Sequence, residues 1–225
     1  MCRYVNVNRK KQIITRYGTV MCNTYANFKD QGAEMWHLNR NYTFERFVVG
    51  PCNQFAYAAA FDVAKRPSQS YNPLYICGEC GLGKTHLLHA AALSIAAAQS
   101  RLNLMYLSTE IFMNELIAAI RDNQMPAFRT KFRHIDCLFV DNIHYLAGKE
   151  GTQEEFLNIF KALHDSGKQI VIAGNVSPEN IPDLDKCLRS RFQWGLIAVI
   201  HPPEMETRVA IIQQIMQENR ISIPD

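Results

Sequence analysis

Gly78-Glu79-Cys80-Gly81-Leu82-Gly83-Lys84-Thr85 is the stretch that decides the fold. It has the form G-x-x-x-x-G-K-T, lies directly after the short apolar run Leu74-Tyr75-Ile76-Cys77 and opens an alanine-rich segment running to Ala98. A buried strand, a glycine loop and a helix in that order form a phosphate cradle. Gly78, Gly81 and Gly83 let the backbone close around phosphate oxygens, because no Cβ intrudes. The following helix adds the positive end of its dipole. In this pattern Lys84 reaches the β- and γ-phosphates of ATP, and the Thr85 hydroxyl binds Mg²⁺.

A second hard oxygen ligand has to complete the metal site. Leu138-Phe139-Val140-Asp141 supplies one, an apolar strand with an aspartate at its carboxyl end. A competing pattern overlaps the loop. Cys77-x-x-Cys80 followed by His86-x-x-His89 has the residue types of a zinc site. Against zinc, Cys77 closes the buried strand, and phosphate binding needs that loop backbone free.

Working outward from the loop, strands and helices alternate. Strands are expected at Leu74–Cys77, Asn103–Leu107, Ile135–Val140, Gln169–Ala173 and Leu196–Ile200. Helices are expected at Lys84–Ala98, Glu110–Asp122, Thr152–Asp165 and Glu204–Glu218. The second helix carries Phe112, Leu116, Ile117 and Ile120 at helical spacing, and the third Phe156, Ile159, Phe160 and Leu163. Such alternation gives a five-stranded parallel sheet with helices on both faces, an α/β fold that binds ligands at the carboxyl ends of its strands.

Composition narrows the class. The chain has 225 residues with 48% hydrophobic side chains, enough for one substantial core. Its net charge of +3 names no polyanionic partner. The charge is uneven, with seven basic and two acidic residues in 1–40, which leaves −2 for the rest. Residues 1–37 read as a basic leader that could touch nucleic acid or simply be solvated. Seven scattered cysteines suit reduced thiols and a cytoplasmic location better than a disulfide framework. No apolar run approaches the ~20 residues of a membrane span.

From Leu38 to about residue 219 the chain resembles the ATPase domain of the DnaA family of bacterial replication initiators, of the AAA+ class. The resemblance rests on Asn41-Tyr42-Thr43-Phe44-Glu45-Arg46-Phe47-Val48-Val49-Gly50, on Gly81-Leu82-Gly83-Lys84-Thr85-His86-Leu87-Leu88-His89-Ala90 and on Leu146-Ala147-Gly148-Lys149-Glu150. It continues in Thr152-Gln153-Glu154-Glu155-Phe156, Leu188-Arg189-Ser190-Arg191-Phe192 and Trp194-Gly195-Leu196. It implies a P-loop NTPase of AAA+ type and a nucleotide seated partly on Val49 and Gly50 and beside His86. It also implies self-assembly on origin DNA, with Arg189 and Arg191 reaching a neighbouring subunit. Catalytic roles fall by the same resemblance to Asp141, Asn142 and Asn175.

Departures from the family matter as much. Asn142 and Asn175 stand where the family places aspartates, Cys187 where it places an assembly-sensing arginine, and Gly151 where it places a residue that grips single-stranded DNA. The expected organisation is a leader over 1–37, a nucleotide-binding core over 38–203 and the start of a helical lid over 204–225, most of the lid being missing. The chain stops at Asp225, before the family's helix-turn-helix, so weak, non-specific or single-stranded DNA binding is expected instead of duplex origin recognition. The resulting function is an ATP-binding domain in replication initiation, with at most weak ATPase activity. The alternative is a non-hydrolysing module or helicase-loader-like partner of a full-length initiator.

Three smaller features complete the reading. Phe128, Arg129, Lys131, Phe132 and Arg133 interleave rings and cations, and the i, i+4 phenylalanines favour a core-packed helix over a base-stacking surface. Trp194 is expected to pack under the fifth strand. His134 and His144 flank the third strand without assigned chemistry.

Overall fold

The computed structural model describes residues 38–219 and, of the leader, residues 6–7, 10–11, 14–15 and 18–19. Contacts divide the chain into Met1–Gly32 and Ala33–Asp225. In the first unit Asn6–Val7 pairs antiparallel with Lys10–Lys11, and Ile14–Thr15 with Gly18–Thr19. Any role of the leader as a whole lies outside the described residues.

The second unit holds five parallel strands: β1 (Leu74–Cys77), β2 (Leu104–Ser108), β3 (Cys137–Asp141), β4 (Gln169–Gly174) and β5 (Leu196–Val199). Their order across the sheet is β2-β3-β4-β1-β5. The three inner strands β1, β3 and β4 are buried at every position, which is why they read as apolar runs, interrupted only by Asp141 and Gln169 at strand ends. Seven α-helices accompany them among the described residues: α1 (Gln54–Lys65), α2 (Lys84–Ala98), α3 (Thr109–Arg121), α4 (Met125–Arg133), α5 (Glu150–Asp165), α6 (Lys186–Gln193) and α7 (Met205–Asn219).

Side chains alternate across the sheet and build two cores. Leu74, Ile76, Phe139, Val171 and Ala173 pack beneath the alanine-rich faces of α1 and α2. Tyr75, Leu138, Val140, Ile170 and Ile172 point the other way, into a core shared with α3, α4, α5 and α6. The rings of Phe112, Phe156, Phe160 and Phe192 meet there with centroids 5.4–6.2 Å apart. Each fully buried phenylalanine contributes about 1.5–3 kcal/mol. Gln153 ties three elements of this layer together. Its Nε2 donates to the carbonyls of Leu146 and Asp183 at 2.8 and 2.9 Å, and its Oε1 accepts from the Asp185 N–H at 2.6 Å.

Several sequence expectations are corrected here. In α3 the buried stripe is Phe112, Leu116 and Ala119, whereas Ile117 and Ile120 are more than half exposed. Trp194 does not pack under β5; it is 59% exposed, with the Arg191 guanidinium 4.1 Å above its ring and the His164 ring 5.1 Å away. Helices α1 and α6 had no sequence assignment, whereas α4 was expected as a core-packed helix. Phe128 and Phe132 of α4 are buried, so its rings serve the core. Two of its cations are committed as well: Arg129 makes a bidentate pair with Glu155 at 2.7 and 2.8 Å, and Lys131 meets Glu115 at 3.0 Å.

Candidate functional site

The strand register brings the carboxyl ends of β1 and β3 to one edge, separated by β4. Ser108 stands opposite Asp141 in the β2–β3 ladder, and Cys77 opposite both Gly174 and Val199. The loop Gly78–Gly83 leaves that edge and runs into α2. Gly81 and Gly83 have φ of +83° and +93°, a region that favours glycine. At Gly83 a Cβ would also lie 2.8 Å from Cε2 of Phe47, so the second motif glycine is required by conformation and by space.

Lys84 is the first residue of α2 and only 6% exposed. Its Nζ donates to the carbonyls of Gly78 and Glu79, each at 2.7 Å, so the ammonium is held inside the loop's own curve. Burial lowers its pKa, and the nearby Asp141 carboxylate opposes that shift. One residue on, the Thr85 hydroxyl donates to Asp141 Oδ2 at 2.6 Å. Asp141 is 3% exposed and satisfied on both oxygens: Oδ2 also accepts from the Tyr106 hydroxyl at 3.2 Å, and Oδ1 from the Asn142 N–H at 2.8 Å. A hydroxyl and a buried carboxylate beside a lysine form a hard-oxygen corner, the donor set that suits Mg²⁺ and a nucleotide phosphate.

Next to this corner a cavity of about 330 Å³ opens between Phe47, Val48 and His86 on one side and Ile200, Ile211 and Ile215 on the other. It is mostly apolar and of the size that takes a purine base. Asn53 shapes its floor by accepting the Gly50 N–H at 2.9 Å and donating to the Val48 carbonyl at 3.0 Å. Val49 is 47% exposed. Gly50 lies so close to Thr207 of α7 that a Cβ there would collide with the threonine hydroxyl.

The two histidines of the zinc pattern face residues 39–43 instead of the cysteines. His86 stacks on Tyr42 at 4.8 Å, and its Nε2 lies 2.7 Å from the Thr43 carbonyl, so that nitrogen carries the proton. His89 Nδ1 accepts the Asn39 N–H at 2.8 Å. Cys77 is buried and Cys80 exposed. Among the described residues no cluster of three or more His, Cys, Asp or Glu side chains could hold a metal.

The remaining sequence-derived residues are placed as follows. Asn142 follows Asp141 at φ +58° and opens a short 3-10 turn, Ile143–Leu146. Asn175 follows β4 and contacts His144 of that turn: the Asn175 N–H lies 3.4 Å from Nδ1, and its side-chain amide nitrogen 3.0 Å from Nε2. Arg189 is turned into its own chain, donating to the carbonyls of Ile181 and Leu184 at 3.2 and 3.3 Å. Arg191 lies over Trp194, and Cys187 is exposed in the first turn of α6. Tyr106 and His144 carried no signal in the sequence, because their partners are 35 and 31 residues away.

Comparison with known proteins agrees with this geometry. The Bacterial DnaA ATPase domain family matches residues 38–199. The DnaA chromosomal replication initiator of Citrifermentans bemidjiense is 51% identical over 189 residues, which is 84% of this chain and 41% of that one. The chain thus spans about two fifths of the length of that relative. Domain III of the Thermotoga maritima DnaA superposes with a TM-score of 0.82 at 43% identity, covering 84% of this chain and 79% of the other. A DnaA bound to AMPPCP and single-stranded DNA superposes with a TM-score of 0.77 at 32% identity, covering 84% and 58%. Phosphate loop, strand order and sequence identity over most of its length lead to one conclusion: the chain belongs to the bacterial DnaA ATPase-domain family.

Proposed function

We propose that this chain is the nucleotide-binding module of a chromosomal replication initiator, and that it binds ATP together with Mg²⁺. The observation that carries the reading is the corner in which Thr85 and Asp141 meet at 2.6 Å beside the buried Lys84 ammonium. Lys84 exchanges its two loop carbonyls for phosphate oxygens, and Gly78, Gly81 and Gly83 leave room for them. Thr85 and Asp141 hold the ion, which neutralises phosphate charge when bound. His86 lines the cavity for the base together with Phe47 and Val48, and Val49 and Gly50 follow directly after Val48. Residues 38–203 form the binding core, 204–225 begin the lid, and 1–37 are the leader.

Self-assembly and contact with single-stranded DNA belong to the same proposal. Their support is family membership and the relative seen with AMPPCP and single-stranded DNA. Arg191, which lies over the exposed Trp194 ring, is the better placed of the two arginines to reach a neighbouring subunit, since Arg189 donates to carbonyls of its own chain. Equilibrium titration with a fluorescent ATP analogue tests the core of the proposal. Lys84→Ala should weaken binding at least ~100-fold, as expected for loss of a charge-assisted contact in a buried site. Equal affinity for both proteins would refute the reading.

A further inference from the structure

The pair Cys77-x-x-Cys80 spans the part of the phosphate loop on which Lys84 rests. The residues between the cysteines are Gly78 and Glu79, whose carbonyls accept the Lys84 ammonium, each at 2.7 Å. Both thiols are free, and both sulfurs lie within electrostatic reach of that ammonium. Where a strand runs into a helix, the spacing C-x-x-C suits thiol–disulfide exchange.

The two thiols have different surroundings. Cys80 is exposed. Cys77 is 3% exposed and belongs to the core layer that holds Tyr75 and Leu138. The end of β5 pins it there: the Cys77 carbonyl accepts the Ile200 N–H at 2.7 Å, and Gly78 lies so close to the Ile200 carbonyl that a Cβ would collide with it. A disulfide needs Cα atoms about 4.4–6.8 Å apart and Cβ atoms turned toward one another. A side chain in the core and one in solvent do not meet that condition. Cys80 has to fold back over Gly78 and Glu79 for the bond to form, and the two carbonyls then lose the orientation that seats Lys84.

We propose that Cys77 and Cys80 form a reversible redox switch, in which an internal disulfide closes the phosphate loop into a tight turn that cannot hold a nucleotide and reduction restores it. The inference rests on the nucleotide reading above and adds regulation of the same loop, with a low-molecular-weight disulfide, RSSR, as the oxidant. The exchange balances in two steps. Cys80 loses its proton, and its sulfur attacks RSSR and expels RS⁻, leaving the mixed disulfide Cys80–S–S–R. Cys77 loses its proton, and its sulfur attacks the Cys80 sulfur and expels the second RS⁻. The cysteines give up two electrons and two protons, and RSSR becomes two RSH. Access sets the order, because the exposed Cys80 meets the oxidant first. Burial pushes the Cys77 thiol up, against the Lys84 ammonium, so Cys77 is the resolving thiol.

The test equilibrates the protein, free of nucleotide, in glutathione buffers poised reduced or oxidised. Mass spectrometry of proteolytic fragments maps the cysteines, and titration with the fluorescent ATP analogue reads the affinity. Oxidised wild type should yield a fragment that joins Cys77 to Cys80 and lacks two hydrogens. It should bind at least ~100-fold more weakly than the reduced protein, as for loss of the Lys84 contact, and dithiothreitol should reverse both changes. Cys80→Ser should bind equally in the two buffers, and Cys77→Ala should stop at the mixed disulfide, with one glutathione on Cys80. ATP with Mg²⁺ at about ten times its Kd should slow disulfide formation in wild type about tenfold, by mass action. The wild-type map and this protection do not depend on whether the variants fold. An oxidised wild type that carries glutathione on Cys80 and no internal bond would overturn the switch. So would an unprotected rate, or an equal loss of affinity in Cys80→Ser, which would assign the effect to another thiol such as the exposed Cys187. Reduced protein whose ATP binding does not depend on Lys84 would overturn the nucleotide reading, whereas a missing disulfide with Lys84-dependent binding intact would overturn the switch alone.

Discussion

The hydroxyl of Thr85 donates to Asp141 Oδ2 at 2.6 Å, joining the first turn of α2 to the end of β3 across 56 residues of sequence. The same carboxylate oxygen takes the Tyr106 hydroxyl from β2, and the other takes the Asn142 N–H, so four elements converge on one buried group. Burial, and then Asp141, push the tyrosine's pKa up, which keeps its hydroxyl a donor. The arrangement already brings together the two oxygen-bearing side chains that are proposed to hold Mg²⁺.

Asp141→Asn should sharply reduce the dependence of ATP affinity on Mg²⁺, since a neutral amide oxygen is a weaker ligand for a hard cation than a carboxylate. Tyr106→Phe should retain that dependence and destabilise the fold by about 1 kcal/mol, the net worth of one hydrogen bond. Nucleotide titration in Mg²⁺ and in EDTA, with urea unfolding alongside, separates the two. A Tyr106→Phe protein that loses its Mg²⁺ dependence would place the tyrosine in the metal site itself.

Gly83→Ala should destabilise the protein by roughly 2–4 kcal/mol, combining a strained backbone with the Phe47 clash, and abolish ATP binding. Phe47→Ala in the same chain should relieve the collision but not the φ of +93°, so ATP binding should stay lost. Recovery of full affinity in the double variant would mean that space alone, and not backbone conformation, governs the loop.

His89 makes acid destabilising. Burial depresses its pKa from 6.5 to about 4. The unfolded chain therefore binds a proton that the folded chain refuses, and stability falls as pH drops from 6.5 towards 4. The full loss is about 3 kcal/mol. His86 and His144 shift in the same direction and add to it. In His89→Asn the amide oxygen can replace Nδ1 as acceptor for the Asn39 N–H. Its unfolding free energy should change less between pH 7 and pH 5 than that of wild type; an equal change would assign the effect to other groups.

Hydrolysis should be slow even with ATP bound. Asn142 cannot accept a proton at neutral pH, and Cys187, exposed on α6, offers no charge to a transferring phosphoryl group. An arginine in that role is worth ~10³–10⁵ in rate. Single-turnover phosphate release should lie near background, and Asn142→Asp with Cys187→Arg should raise it about a hundredfold once subunits assemble. A rapid wild-type rate that Arg191→Ala leaves unchanged would contradict this assignment.

The linear sequence was sufficient for whatever depends on neighbours in the chain. The spacing of Gly78, Gly83, Lys84 and Thr85 defines the loop whatever surrounds it, and the apolar runs within β1, β3 and β4 announce strands buried on both faces. Helix α5 was legible because Phe156, Ile159, Phe160 and Leu163 all face one core. Periodicity was less informative in α3, where Ile117 and Ile120 keep the spacing of a buried stripe while facing away from the sheet. Trp194 shows the same limit: hydrophobicity suggested burial, but α6 ends so that the ring lies on the surface between Arg191 and His164. Only the tertiary structure could add Tyr106 to the Asp141 carboxylate and His144 to Asn175. A hydrogen bond has a reach of about 3 Å and a preferred direction, and residues tens of positions apart acquire that geometry only when the strand order β2-β3-β4-β1-β5 sets their ends side by side.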